Sequence, residues 1–185
     1  MSKEIKNEEL ADEKKSKFRL NSKTIAIMAM LIAMQVVLAR FLSFSTWNTR
    51  IGFGFVPIAL AAMLFGAVPA AIVASVSDLL GALLFPSGAY FPGFTLTAFL
   101  TGMVYGYFLH KRKGGYLNIL FAVLIIQFVL GLFMNTYWIS LLYGSPFSVL
   151  LATRVIQAAI LTVVQTLTVI VVEKASSRLK NIVTV

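Results

Sequence analysis

Six long apolar runs constrain this chain more than any other feature of its sequence. Each run approaches the roughly 20 residues that an α-helix needs to cross a hydrocarbon core of about 30 Å. Hydrophobic residues make up 59% of the 185 residues and charged residues only 12%. Because a span in lipid must satisfy its own backbone hydrogen bonds, the sequence predicts an all-α integral membrane protein with six transmembrane helices. The runs cover residues 24–41, 51–65, 68–85, 91–109, 116–142 and 147–172.

The charged residues lie mostly outside these runs, and they predict the orientation. Lysine and arginine gather in the N-terminal segment, at 110–113 and near the C-terminus. Six spans put these three segments on one side, which the positive-inside rule assigns to the cytoplasm. The net charge of +9 therefore reflects membrane topology, and we expect no nucleic-acid partner. The predicted organisation is a polar cytoplasmic tail at 1–22, a six-helix membrane domain at 23–175 and a cytoplasmic tail at 176–185.

Asp78 is an acid inside the third run. A charge at the bilayer centre costs about 2.5–3.5 kcal/mol on insertion scales, so it should face the bundle interior and have a partner. Arg50, at the mouth of the second run, and Arg154, in the outer half of the sixth, are the candidate partners. We expect Arg40, at the end of the first run, to extend to the lipid headgroups. A protonated Asp78 bonded to the backbone is the alternative.

Polar side chains recur on one helical face in both the fifth and the sixth run. These faces carry Gln127, Gly131, Asn135 and Trp138 in the fifth run, and Arg154, Gln157, Leu161 and Gln165 in the sixth. The predicted topology brings the outer members of both faces to one depth, near threonines of the fourth run. We expect these outer members to line a ligand pocket. The inner members, Gln127 and Gln165, are expected to hydrogen-bond between helices.

Several kinds of chemistry are absent from the sequence. There is no cysteine, and His110 is the one histidine, so a metal cluster or a buried catalytic histidine is not expected. No P-loop motif occurs, so the chain is not expected to hydrolyse ATP. We therefore predict that the chain is not an enzyme and carries no cofactor or metal. A carrier or binding subunit, a channel and a structural membrane protein remain.

Small residues form a stripe on the first run. Ala26, Ala29 and Ala33 share one helical face, and small residues allow helices to approach closely in lipid. Gly102 and Gly106 form a similar GxxxG pair in the fourth run. Packing within the bundle is the ordinary explanation of both patterns.

These features together resemble the substrate-binding S component of energy-coupling factor (ECF) vitamin transporters. The resemblance rests on the short spans, the small size, the alanine stripe and the aromatic outer loops, and it covers about residues 24–175. Four segments resemble the folate-specific members in particular. They are RIGFGFVPI at 50–58, MLFG at 63–66, DLLG at 78–81 and FPSGAYFPGF at 85–94.

The resemblance implies a division of labour in the bacterial cell membrane. The S component binds the vitamin from outside, a transmembrane T component grips it, and two cytoplasmic ATPases bind the ATP. It further implies that the stripe of Ala26, Ala29 and Ala33 is offered to the T component. The loaded S component is expected to topple in the membrane and carry its pocket inward.

Residue type and depth suggest how folate would be bound. A pterin suits an amide or a carboxylate, its rings can stack on aromatic side chains, and its glutamate tail suits Arg50 or Arg154. The outer loops at 43–50 and 86–90 are expected to close over the ligand. The expected binding residues are Arg50, Asp78, Tyr90, Phe91, Thr97, Asn135, Trp138, Arg154 and Gln157.

Three other functions stay open on the sequence. The ligand could be another vitamin, such as pantothenate, or a queuine-like base. The chain could be a stand-alone proton-coupled carrier that uses Asp78. It could also be a structural membrane protein that binds no small molecule.

Overall fold

Six helices and a small β-hairpin make up the described chain. In a computed structural model, residues 21–45, 50–86, 88–110 and 116–183 are described. The helices are α1 Ser22–Arg40, α2 Phe55–Phe65, α3 Ala67–Leu84, α4 Pro92–Leu109, α5 Tyr116–Tyr143 and α6 Phe147–Val183. The strands are β1 Ser43–Ser45 and β2 Arg50–Gly52, which pair antiparallel. Outside the described residues lie 1–20 of the tail predicted at 1–22, the loop at 46–49, Ser87, residues 111–115 and residues 184–185.

Four of the six described helices have the length and composition of membrane spans. Within the described chain, α1, α3, α5 and the Phe147–Ser176 part of α6 are long and apolar enough to cross a membrane, and α2 is a shorter apolar helix. The prediction of six helices is confirmed. The last helix continues to Val183, beyond the boundary at 175 that the sequence suggested, and the assignment of the tails stays a prediction.

The second helix begins at Phe55, four residues later than predicted. The preceding segment is β2, in which Ile51 pairs with Phe44. Proline has no N–H and fits only the first turn of a helix, and a start at Phe55 places Pro57 there. Glycine at 52 allows the two strands to meet, since a Cβ would lie 2.5 Å from the Cβ of Ser43.

The glycine pair of α4 packs inside the bundle against α3. A Cβ on Gly102 would lie 2.5 Å from the Cα of Ala71, and one on Gly106 would overlap the backbone of Ala67. Between these glycines, Tyr105 is fully buried. The expectation of internal packing is therefore confirmed for this pair, which holds the two helices in backbone contact.

One glycine forms the whole connection between α2 and α3. Gly66 has φ 93°, a conformation that L side chains rarely adopt, and its N–H donates to the carbonyl of Ala62. Pro69 then lies in the first turn of α3, where a missing N–H costs little. The predicted tight turn is confirmed, and it fixes α3 antiparallel beside α2.

Helix α5 changes its hydrogen-bonding pattern along its length. It is α-helical at Tyr116–Leu124, π-helical at Ile125–Met134 and α-helical again at Asn135–Tyr143. The N–H of Asn135 accordingly donates to the carbonyl of Leu130, five residues earlier. Because π-helical segments are rare and often mark functional sites, this part of α5 draws attention to the side chains it carries.

The alanine stripe of α1 faces away from the bundle. Ala26, Ala29 and Ala33 are all exposed, whereas the buried residues of α1 are Met28, Leu31 and Val36. Packing within the described chain therefore does not account for the stripe. In the single chain, the stripe is exposed and is not covered by the other described residues.

Candidate functional site

Two polar cavities lie in the bundle and adjoin at Leu161. The first, the Asp78 cavity, has a volume of about 220 Å³, and the second, the Arg154 cavity, of about 150 Å³. The polar side chains that line the Asp78 cavity are Gln35, Arg40, Ser43, Ser77, Asp78 and Gln165. Those that line the Arg154 cavity are Gln127, Asn135, Arg154 and Gln157. Leu161 is buried and lines both cavities.

Arg40 supplies the charge beside Asp78. Its guanidinium lies against Gly81, where a Cβ would be 2.8 Å from Nε, and Gly81 is one turn along α3 from Asp78. The two charged groups interact electrostatically and line the same cavity. The structure thus places the half-buried Arg40 beside the Asp78 cavity, and its extension to the lipid headgroups stays a prediction. Of the partners predicted for Asp78, Arg154 lines the other cavity, and the side chain of Arg50 lies outside the described residues.

A chain of hydroxyl groups connects Asp78 to the outer surface. Thr95 Oγ1 donates to Asp78 Oδ2 at 2.9 Å, and Tyr90 Oη lies 3.1 Å from Thr95 Oγ1. The single hydroxyl proton of Thr95 is used on Asp78, so Tyr90 is the donor in the second bond. Tyr90 precedes α4 and is exposed. The orientation of the carboxylate is therefore set in part by a residue of an outer loop.

Two polar atoms of the Arg154 cavity have no hydrogen-bond partner among the described residues. Arg154 is nine-tenths buried, and its Nη1 donates to Thr136 Oγ1 at 3.1 Å, but its Nε has no partner within the described residues. The Oδ1 of Asn135 is buried and likewise lacks a donor there. Buried polar groups are nearly always paired. A donor and an acceptor that line one cavity together indicate a site for a polar ligand.

The charge of Arg154 also has no counter-charge in the described chain. Beyond residue 20 the sequence contains only two acids, Asp78 and Glu173. Asp78 lines the other cavity, and Glu173 lies about 28 Å farther along α6 by helix rise. A buried and uncompensated cation is strongly destabilising. The cavity therefore favours a ligand that carries negative charge.

An aromatic cluster joins α5 to the start of α4. Trp138 Nε1 donates to Thr97 Oγ1 at 3.1 Å, and the ring centroids of Trp138 and Phe91 are 5.4 Å apart. The indole also covers Gly93, where a Cβ would lie 2.6 Å from it. Since these contacts satisfy the indole N–H and bury Thr97, the cluster positions α4 and α5 beside the cavities.

The structure distributes the predicted binding residues over three places. Asp78 is in one cavity, and Asn135, Arg154 and Gln157 are together in the other. The remaining described residues of the set are Tyr90, which reaches Asp78 through Thr95, and the cluster of Phe91, Thr97 and Trp138.

Some lining residues were not predicted. Gln127 and Gln165 were assigned to helix packing, yet each lines a cavity, and Gln165 also accepts from Tyr105 at 3.5 Å. Gln35 and Arg40 were not expected at the site. For Gln35 a signal was present, because an amide in the middle of an apolar run is the same pattern that drew attention to Gln127.

A six-helix membrane bundle with a divided polar site defines a membrane protein that binds a small molecule. Comparison with known proteins gives the family. The chain belongs to the substrate-specific components of ECF transporters, whose family model matches residues 23–173. The resemblance found in the sequence is thus confirmed. The family consists of transport components and not enzymes, and the chain is a multi-pass protein of the bacterial plasma membrane.

Three similar proteins are named FolT. Over 134 residues the chain is 46% identical to the folate transporter FolT of Clostridium novyi (strain NT), covering 72% of this chain and 78% of that protein. It is 29% identical over 154 residues to the folate transporter FolT of Leuconostoc mesenteroides subsp. mesenteroides, covering 80% and 82%. A crystal structure of FolT bound with folic acid matches with a TM-score of 0.80 at 36% identity, covering 84% of this chain and 95% of that chain.

Proposed function

We propose that this chain is the folate-binding subunit of an ECF importer and takes up the vitamin from the outer side of the membrane. The observation that carries the proposal is the match, with a TM-score of 0.80 and 36% identity, to a protein crystallised with folic acid. The relative that is 46% identical is named for folate transport as well. The alanine stripe of α1 and the aromatic loop that contains Tyr90 are two of the features by which the sequence resembles ECF S components.

The chemistry of the cavities supports the same ligand. Folate joins a flat pterin, rich in donors and acceptors, to an aminobenzoyl ring and an anionic glutamate. Binding sites for ligands of this size usually measure about 300–1,000 Å³, so neither cavity alone holds the whole molecule. The polar groups divide between the two cavities, with the apolar Leu161 between them. This order of polar, apolar and polar surface matches the order of groups along folate.

A binding measurement on the purified protein tests the ligand. The protein in lipid nanodiscs is expected to bind folic acid saturably and with one site, and to show no binding of pantothenate at the same concentrations. Mass spectrometry of the freshly purified protein should then find a co-purifying folate. Binding of pantothenate, or of a queuine-like base, in place of folic acid would reject the assignment while leaving the family intact.

We further propose that a T component docks on the alanine stripe of α1 and that two ATPases drive the cycle in which the loaded subunit topples. The stripe is exposed, and small side chains let another helix approach closely. No P-loop motif occurs in the sequence, so the proposal assigns ATP hydrolysis to the partner subunits.

Ala29→Trp tests this docking surface. A bulky ring on the stripe should abolish folate uptake in cells that contain the partner subunits, while folic acid binding to the purified variant stays within about twofold of the parent, because exposed substitutions usually change stability by less than about 0.5 kcal/mol. Ala159→Trp is the matched control, since Ala159 is also exposed but lies on α6. Equal loss of uptake in both variants would argue against a specific surface. Uptake without any partner subunit would instead favour a stand-alone carrier.

A further inference from the structure

We infer that Tyr105 is a positioning residue for the binding site and acts through the side-chain amide of Gln165. Tyr105 lies on α4 and lines neither cavity, whereas Gln165 lies on α6 and lines the Asp78 cavity. The inference rests on the proposed binding of folate. The burial of the Tyr105 hydroxyl, the packing around its backbone and the asymmetry of the amide support it.

The hydroxyl group of Tyr105 lies in the apolar core. Tyr105 is the largest fully buried side chain of the described residues, and the other members of its core cluster are all apolar. Burial of a hydroxyl without a hydrogen bond is costly. The hydrogen bond described for Tyr105 Oη runs across to Gln165 Oε1 at 3.5 Å. A phenylalanine would fill the same space and need no partner, so the hydroxyl indicates a role beyond packing.

The packing of α4 on α3 fixes the place from which this hydroxyl acts. Gly102 and Gly106 lie on either side of Tyr105 in the sequence, and both bring α4 into backbone contact with α3. A tyrosine side chain turns about two bonds only, whereas a glutamine side chain has more rotamer freedom to lose. The hydroxyl therefore orients the amide of Gln165, and not the reverse.

The two ends of the amide have opposite hydrogen-bonding character. Its carbonyl oxygen accepts and its NH2 group donates. Since the carbonyl of Gln165 accepts from Tyr105, the NH2 group is the part left for the Asp78 cavity. Ser77 lines the same cavity, but its hydroxyl donates to the carbonyl of Val73 at 2.6 Å. Gln165 thus offers the cavity a donor that Ser77 does not.

Loss of the Tyr105 hydroxyl would release this orientation. The amide could then turn about its last bond and present either its carbonyl or its NH2 group to a bound ligand. The bond of 3.5 Å is longer than the usual distance of about 2.5–3.0 Å between two oxygens, so it favours one orientation without holding it rigidly. A moderate loss of affinity is therefore expected, and not a complete one.

A double-mutant cycle tests this role. Equilibrium binding of folic acid in nanodiscs is measured for the parent, Tyr105→Phe, Gln165→Met and the double variant. Tyr105→Phe keeps the ring and should lower the affinity by about fivefold, the usual value of one neutral hydrogen bond. In the Gln165→Met background the same change should alter the affinity by less than about twofold, because the amide on which the hydroxyl acts is gone. Tyr107→Phe, at an exposed position of the same helix, is the matched control and should bind like the parent.

The cycle separates positioning from packing. If Tyr105→Phe lowers the affinity equally in both backgrounds, the residue acts through the core and the inference is wrong. An unchanged affinity of Tyr105→Phe or of Gln165→Met would also overturn it, although folic acid is still the ligand. A parent protein that does not bind folic acid at all would overturn the proposed function instead. Thermal unfolding checks the folding of each variant, and Gln165→Leu takes the place of Gln165→Met if the latter does not fold.

Discussion

Single residues set the chemistry of the site through contacts that cross between helices. Thr95 on α4 holds the carboxylate of Asp78 on α3, and Gly81 gives the guanidinium of Arg40 room to reach the same cavity. Thr136 on α5 holds one arm of Arg154 on α6. Each of these contacts fixes a charged group without contributing a charge, so their loss should affect binding more than folding.

Thr95→Val tests this expectation. The substitution keeps the shape of the side chain but removes the donor to Asp78 Oδ2 and the acceptor for Tyr90. Loss of one hydrogen bond to a charged group costs about 1.5–3 kcal/mol, so we expect folic acid affinity to fall by about tenfold to 100-fold. The measurement is equilibrium binding in nanodiscs.

Thr101→Val is the matched control for that variant. Thr101 lies on the same helix, but its hydroxyl donates to the carbonyl of Thr97. Thr101 is not among the residues that line either cavity. Its affinity for folic acid should equal that of the parent. A similar loss in both variants would show that Thr95 acts through the helix and not through Asp78.

Among the helices, the pair α3 and α4 is in backbone contact at two glycines. Gly102 and Gly106 leave no space for a side chain atom against Ala67 and Ala71. Asp78 and Thr95, which meet across this pair, depend on its geometry. The glycines of α4 therefore help to position Asp78 and Thr95, although they do not line the site themselves.

Gly106→Ala should separate the two helices. Its Cβ would overlap the backbone of Ala67, which cannot move as a flexible side chain can. Overpacking of this kind costs about 1–3 kcal/mol, and we expect a lower midpoint of thermal unfolding in detergent. Leu96→Ala, at an exposed position of the same helix, should change the midpoint much less. An unchanged midpoint for Gly106→Ala would contradict the close packing of the pair.

At the scale of the whole molecule, the bundle encloses one divided site between five of its helices and the hairpin. Leu161 on α6 stands between the two parts. An extended ligand that fills both parts would contact α1, α2, α3, α5 and α6 at once. Binding would therefore add contacts between helices that the chain already holds together through packing and a few polar contacts.

Leu161→Trp tests whether both parts are used together. The larger ring should occupy the passage between the cavities and weaken folic acid binding by at least about tenfold, since overpacking a buried site costs about 1–3 kcal/mol. Val163→Trp, at an exposed position two residues later, should leave the affinity unchanged. Normal binding by Leu161→Trp would mean that the ligand fits within one part.

The sequence predicted the parts of this arrangement that follow from periodicity and hydropathy. The six spans and the common depth of Asn135, Arg154 and Gln157 came from apolar run length and from helical spacing. Trp138 was placed on the same face, but its indole N–H donates to Thr97 and it packs on α4. A change from α- to π-helical bonding leaves no mark in the spacing of residues.

Two further differences between the predicted and the observed structure concern Arg40 and the start of α2. The turn of Arg40 into the bundle depends on Gly81, a residue 41 positions away with no side chain to block it. The start of α2 could have been found, because a helix that began at Ile51 would have carried Pro57 beyond its first turn.

The uncompensated charge of Arg154 has a consequence for the lifetime of the protein in the cell. A ligand that binds only the folded state stabilises it by mass action, by about 2.7 kcal/mol at one hundred times the dissociation constant. Here the ligand would in addition act as the counter-ion that the described chain does not supply. Bacteria starved of the vitamin should therefore lose this subunit faster to proteolysis than fed ones, and Arg154→Gln should reduce that difference.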